Sequence, residues 1–286
     1  MADPRVETVA KILVDYSVKV RPKQLVRISG GAAGAPLILA VYQKVLERGA
    51  HPFLRVEPEE AEELFYTYAS GAQLAYIPPF MKDMIEQIDA SIGIWTDVNT
   101  KQLNNADPAK QSRRAVAMRP VSDRFLERAA KKELRWSGTL HPTQAFAQDA
   151  EMSLREFEDF VYDACLIHEP DPIKAWKKIS KKQQRIVDVL NKARQIHVTG
   201  PDTDLKLKVT GRKWINCDGH ENFPDGEVFT GPIESATQGV VQYSFPAVHG
   251  GREADGIRLE FRDGRVVDFS CSKGEDFVAA MLDQDE

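Results

Sequence analysis

The chain has 286 residues, 42% of them hydrophobic and 28% charged, and its formal net charge is −5. That composition is ordinary for a globular protein and excludes a disordered one, while the mildly acidic balance lacks both the basic footprint of a nucleic-acid binder and the polybasic surface that holds anionic lipid. No stretch approaches a membrane span, no apolar signal core follows the first residues, and Cys165, Cys217 and Cys271 are odd in number and far apart, so a soluble, cytoplasmic protein without a disulfide framework or metal finger is expected.

Pro4 suits a first helical position, and Val9, Ile12, Leu13 and Tyr16 form the stripe of a helix from Asp3 to Val18. A strand at Gln24–Ser29, a helix at Pro36–Leu46 capped by Gly49 and a strand at Pro52–Val56 follow, and this β-α-β order predicts a parallel pair. A helix around Phe80–Ile88 precedes a strand at Ala90–Trp95. The basic stretch Asn104–Thr139 reads as mostly helical, with a helix near Asp123–Leu134. Ser153 and Glu156 make a capping box for a helix to Ile167, and a helix after Pro172 carries Ile173, Trp176, Ile179, Ile186 and Val189 opposite a lysine-rich face.

From Gln195 the period changes from 3.6 to 2. Leu205, Leu207 and Val209 alternate with lysines, Ile257, Leu259 and Phe261 alternate in the same way, and Asp263-Gly264 is a hairpin signal. The fold class is therefore α/β. An N-terminal open parallel sheet lobe, residues 1–190, is followed by a mainly antiparallel β region, residues 191–286. A last helix begins near Gly274, includes Phe277, Val278, Met281 and Leu282, and runs into Asp285-Glu286 without a cap, which suggests that the chain stops inside a larger domain.

Several segments invite a chemical reading. Gly30–Pro36 opens a helix after a strand and could cradle a phosphate, but it matches neither the dinucleotide fingerprint nor a P-loop, and a tight turn of small residues is the favoured reading. Ser29 lacks the flanks of a nucleophile elbow, and the basic helix Lys174–Arg194 reads as a solvated face. None of the six histidines pairs at i, i+4; His220, in Cys-Asp-Gly-His-Glu, is the least bland. In Asn222–Pro232 (NFPDGEVFTGP), prolines and glycines frame Glu227 among apolar neighbours. A carboxylate buried there would need a partner, and a divalent cation is one; the alternative is an Asp225-Gly226 hairpin with Glu227 exposed on a strand.

Residues 222–232 resemble the motif that carries a metal-binding Glu in the thermophilic aminopeptidases, the family of metallopeptidases to which aminopeptidases T, S and II belong. HPTQAFAQDAEMS at 141–153, TGPDTDLKLKVTGRKW at 199–214 and DGIRLEFRDGRVVDFSCSKGEDF at 255–277 fit the same family in order and spacing. The resemblance covers most of the chain, most closely from about residue 136. It implies a cytoplasmic homodimer with an enclosed active-site chamber, which removes N-terminal residues from peptides with a free N-terminus. It also implies a pair of divalent cations (cobalt, zinc, manganese or magnesium), with Glu227 as a metal ligand and no nucleic-acid or membrane partner. The family pattern continues past Glu286 with further Glu, His, Tyr and Asp groups, so the chain is expected to be an N-terminal portion with weak or no activity of its own. The alternative is a catalytically inactive binding or assembly protein derived from that family; a nucleotide-binding module built on Gly30–Pro36 is the weakest reading.

Overall fold

The apolar run that opens with Leu25 forms strand β1 (Leu25–Gly31), and the computed structural model, which describes residues 3–249 and 252–283, places it inside a four-stranded sheet. Its neighbours are β2 (His51–Glu57) and β3 (Ala90–Trp95), and β4 (Arg135–Leu140) lies beyond β3, in the order β2-β1-β3-β4 with every pairing parallel. Val26, Ile28, Ile92 and Ile94 are buried, as expected of central strands covered on both faces. They pack with the buried stripes of α1 (Pro4–Ile12), which continues as a π-helical turn over Leu13–Ser17, and of α2 (Ala35–Glu47). Short helices α3 (Ala61–Tyr68), α4 (Gly71–Ala75) and α5 (Pro79–Gln87) lead into β3.

Residues 104–139 are mostly helical, as the sequence predicts, but the strand that ends the stretch was not expected. Helix α6 (Pro108–Ala130) is capped by Asp107 and continuous through Pro120, and β4 follows it. The strand escapes a hydrophobicity reading because the residues it buries most are Ser137 and Thr139. Gly138 between them takes a close approach: its N–H donates to the Glu221 carbonyl (2.7 Å), its carbonyl accepts from Phe223 N–H (2.8 Å), and a Cβ there would lie 3.1 Å from Trp95 Cη2. Helices α7 (Gln144–Asp149), α8 (Leu154–Ala164) and α9 (Pro172–Leu190) follow, with the capping box Ser153–Glu156 formed at α8.

On α9 the expected apolar stripe holds only at its start. Trp176 is buried and Ile173 and Ile179 half-buried, but Ile186 and Val189 are exposed, and Gln183 and Val187 are buried instead. Steps of seven and four from Trp176 keep a 3.6 period, whereas Ile186 and Val189 drift off that face.

The chain divides into two compact units. The first comprises Met1–Thr100, Asn105–Ser180 and Cys217–Gly226; the second comprises Lys101–Asn104, Lys181–Asn216 and Glu227–Glu286. The second unit contains β5 (Gln195–Gly200), β6 (Thr203–Lys208), β9 (Thr237–Gln242), β12 (Arg258–Arg262) and β13 (Arg265–Ser270). These form an antiparallel sheet in the order β13-β12-β9-β6-β5. The Asp263-Gly264 turn joins β12 to β13 as the sequence predicts. Two short ladders complete the strands, β7 (Ile215–Cys217) with β8 (Glu227–Phe229) and β10 (Ala247–His249) with β11 (Arg252–Ala254). Helix α10 (Glu275–Leu282) packs Val278 against Ala254 and Ile257. The expected ending Asp285-Glu286 lies outside the described residues. No helix among the described residues is long and apolar enough to cross a membrane.

Candidate metal centre

The segment between β7 and β8 is pinned by its own side chains before any ligand is considered. Phe223 is buried at 2% exposure, its ring 5.3 Å from that of Trp176, whose indole N–H donates to the Cys165 carbonyl (3.0 Å). The Phe223-Pro224 peptide is cis. Tyr16 Oη donates to the Asp218 carbonyl (2.9 Å), and its ring lies 4.7 Å from that of His220. Ser180 Oγ donates to Asp218 Oδ2 (2.6 Å), and the other carboxylate oxygen, Oδ1, is bonded to His220 Nδ1.

These bonds set the charge state of the group. Burial pushes the Asp218 carboxyl up, but the bonds from His220 and Ser180 outweigh it and hold it below the usual carboxylate range. Burial, then the negative Asp218, pushes the Tyr16 phenol up, so it stays a donor. His220 is thus oriented by a carboxylate, and its second nitrogen, Nε2, is buried without a hydrogen-bond partner.

At the end of the same segment the chemistry is different. Asp225 Oδ1 accepts the N–H of Gly226 (2.9 Å), and the Glu227 carbonyl accepts from Gln183 Nε2 (2.6 Å). The Glu227 side chain is exposed at the start of β8, so the burial cost that would by itself have demanded a cation does not arise. Yet one ligand atom each from Cys217, Asp225 and Glu227 lies within 4.8 Å of the others, with Cys217 buried, Asp225 half-buried and Glu227 exposed. Among the described residues this is the one convergence of three such groups. One thiol and two carboxylates make a donor set suited to a divalent cation, with coordination positions left open.

Of the residues singled out in the sequence, Glu227 thus lies in a cluster, whereas Cys217 and Asp225 were not read as its companions. Their separations from Glu227, ten and two residues, match no metal-site spacing, and the local pairing of β7 with β8 is what brings them together. The other histidines take no part: His168 pairs with Asp163 and His197 with Asp204, each at 2.8 Å, and His141 is held below its usual value chiefly by burial. Gly30–Pro36 is occupied by the protein itself. Gly31 N–H donates to Thr96 Oγ1 (2.8 Å), Ala33 N–H to Glu59 Oε1 (2.7 Å), and a Cβ at Gly31 would meet Thr96 Oγ1 at 2.4 Å. A carboxylate of the chain sits where a phosphate would, as the turn reading expects. Ser29 lies inside β1 and on no elbow, and the lysines of α9 are exposed.

Comparison with known proteins adds the family context. A model of the thermophilic metalloprotease family (M29) matches residues 2–286. Aminopeptidase 2 of Geobacillus stearothermophilus is 27% identical over 300 residues, which take in 97% of this chain and 72% of that protein. Aminopeptidase T of Thermus thermophilus is 32% identical over 149 residues, 48% of this chain and 36% of its own length. The solved structure of wild-type AmpT from Thermus thermophilus matches 99% of this chain and 75% of its own with a TM-score of 0.85; at 22% identity, that likeness is one of fold.

Proposed function

The chain belongs to the thermophilic metalloprotease family M29, and on that premise we propose that it is a metal-dependent aminopeptidase whose residue Glu227 is a metal ligand. The observation that carries this reading is the convergence of Cys217, Asp225 and Glu227 in the segment that also resembles the family's metal motif. Glu227 and Asp225 would offer carboxylate oxygens and Cys217 a thiolate. The soft sulfur favours zinc or cobalt over magnesium. In the resemblance the site takes two cations, and these three side chains would supply part of its ligand set. Divalent cations at such a site activate water and polarise a scissile carbonyl.

The exposed face of Glu227 leaves room for a peptide, and the acidic side chains suit the free amine of its first residue. The named relatives are aminopeptidases, which supports that substrate end. We further propose, on the family resemblance, that the enzyme is a homodimer working in the cytoplasm.

The test is hydrolysis of a leucyl chromogenic substrate by the purified chain after chelation and after return of zinc or cobalt. Release that disappears with chelator and returns with metal is expected. No release under any metal would overturn the catalytic reading in favour of a binding protein derived from the family. Retained metal content and rate in Glu227→Ala would remove Glu227 from the site.

A further inference from the structure

Near its start α6 carries the cations Lys110, Arg113 and Arg114, and two of them hold neighbouring helix ends. Lys110 Nζ donates to the carbonyls of Tyr66 (2.7 Å) and Thr67 (3.1 Å) in the last turn of α3. Arg114 Nη1 donates to the carbonyls of Leu74 (3.3 Å) and Tyr76 (2.8 Å) at the end of α4. Cations suit such ends, where backbone carbonyls are left without partners.

Arg114 is thereby fixed from two sides. Its Nη1 is tied to the backbone, and its guanidinium carbon lies 5.3 Å from the centre of the Phe65 ring. Among the described residues nothing accepts from its Nε or Nη2, and no carboxylate pairs with it. That edge is the two-pronged fork with which arginine grips a carboxylate.

The fork borders a cavity of about 490 Å³, lined by Phe65, Ala72, Gln73, Tyr76, Pro78 and Arg114. Its size is within the roughly 300–1,000 Å³ of small-molecule sites, and its walls are mainly apolar with few polar groups, as theirs are. None of the six lining residues is acidic. Gln73 Oε1 accepts from Ser70 N–H (2.8 Å), which leaves the amide nitrogen of Gln73 as a second donor. A Cβ at Gly71 would lie 2.8 Å from Arg113 Nη1, so a second guanidinium stands beside Ala72, with no ion pair among the described residues. The rings remain available: α3 has no buried residue, and Tyr76 is 62% exposed.

We propose that this cavity binds a small carboxylate with an aromatic or apolar body. The carboxylate lies on the free edge of Arg114, and the body lies against Phe65, Tyr76 and Pro78. Two guanidinium groups and no lining carboxylate repel an ammonium group, so an acid with a blocked amine is preferred to a free amino acid. A phosphate would meet the same fork, but the apolar walls offer nothing to its remaining oxygens. None of these residues belongs to the metal cluster, and the site does not depend on metal-dependent hydrolysis.

The test is binding of N-acetyl-L-phenylalanine to the full chain, followed by ligand-observed NMR with and without zinc. Saturable binding is expected with a Kd on the order of a millimolar, unchanged by zinc. N-acetyl-L-phenylalanine amide, which lacks the anion, and free phenylalanine should each bind at least about tenfold more weakly. Arg114→Gln should bring the acid down to the level of the amide. Ala72→Trp, at an exposed position of α4, fills the cavity and should weaken the acid at least about tenfold. Arg113→Gln should weaken it about threefold; it disturbs no helix end and keeps the test sound if Arg114→Gln loosens α4. No saturable binding, equal binding of acid and amide, or binding undiminished in all three variants overturns the site. Binding that appears only with zinc also overturns it and puts the acid on the metal instead.

Discussion

Between Cys217 and Glu227 the chain carries two acidic positions built in opposite ways. Asp218 is closed: both carboxylate oxygens and its carbonyl are taken, by His220, Ser180 and Tyr16, and Phe223 locks the loop into the first unit's core. Glu227 is open: its carbonyl is held by Gln183, while its carboxylate stands exposed at the start of β8. A satisfied buried network gives shape to a loop, and a carboxylate left to solvent remains available to a cation. The same residue type therefore serves structure at one end of the segment and is proposed to serve chemistry at the other.

Four measurements can break or sharpen that division. The largest expected effect is on the closed side: Phe223→Ala should cost about 3–5 kcal/mol of stability, because a fully buried aromatic ring is lost against Trp176. Denaturant unfolding of the metal-free protein reads it. On the open side, Glu227→Ala should lower metal-dependent hydrolysis at least about 100-fold, since disturbing even the outer partners of a metal commonly costs 10–100-fold. Its unfolding midpoint without metal should stay where it was; a large loss of stability would mean that Glu227 is structural.

Third, Asp218→Asn should cost about 1–3 kcal/mol, as a buried hydrogen-bonded acceptor loses its charge and the His220 and Ser180 partners lose their geometry. Metal content unchanged at saturating zinc would confirm that Asp218 acts on shape alone. The smallest effect is a control outside the segment. Burial depresses the His141 imidazole below its usual value, with Glu158 and Asp3 opposing the shift only in part. The unfolded chain therefore binds that proton more readily. The stability His141 contributes is fully present above the ordinary imidazole value of about 6.5 and is lost as pH falls through and below it. His141→Gln should flatten that part of the stability–pH curve equally in the wild-type, Glu227→Ala and Asp218→Asn backgrounds.

Much of the first unit was legible before the structure. The parallel pairing of β1 with β2 shows in the sequence through the strand-helix-strand order, β3 through the mostly apolar run Ala90–Trp95, and the hairpin of β12 and β13 through Asp263-Gly264. Strand β4 was not legible, because what it buries is Ser137, Gly138 and Thr139, which make hydrogen bonds or room rather than an apolar stripe. The far half of α9 was misread for a related reason: apolar spacing named Ile186 and Val189, while Gln183 and Val187 hold the buried face. Glu227 could be singled out because a Pro- and Gly-framed segment is a local feature. Cys217 looked like a buried small hydrophobe, and nothing local tied it to Glu227.

By itself the sequence determined the α/β class, the change of period near Gln195 and the resemblance to a metallopeptidase family, all of which depend on residues close together along the chain. The tertiary structure alone decided that Asp218 is spoken for while Glu227 stands open, and that Cys217 and Asp225 come within reach of Glu227. These are matters of which strands and side chains meet across the fold, and that pairing is set by packing and hydrogen-bond satisfaction rather than by the order of residues along any one element.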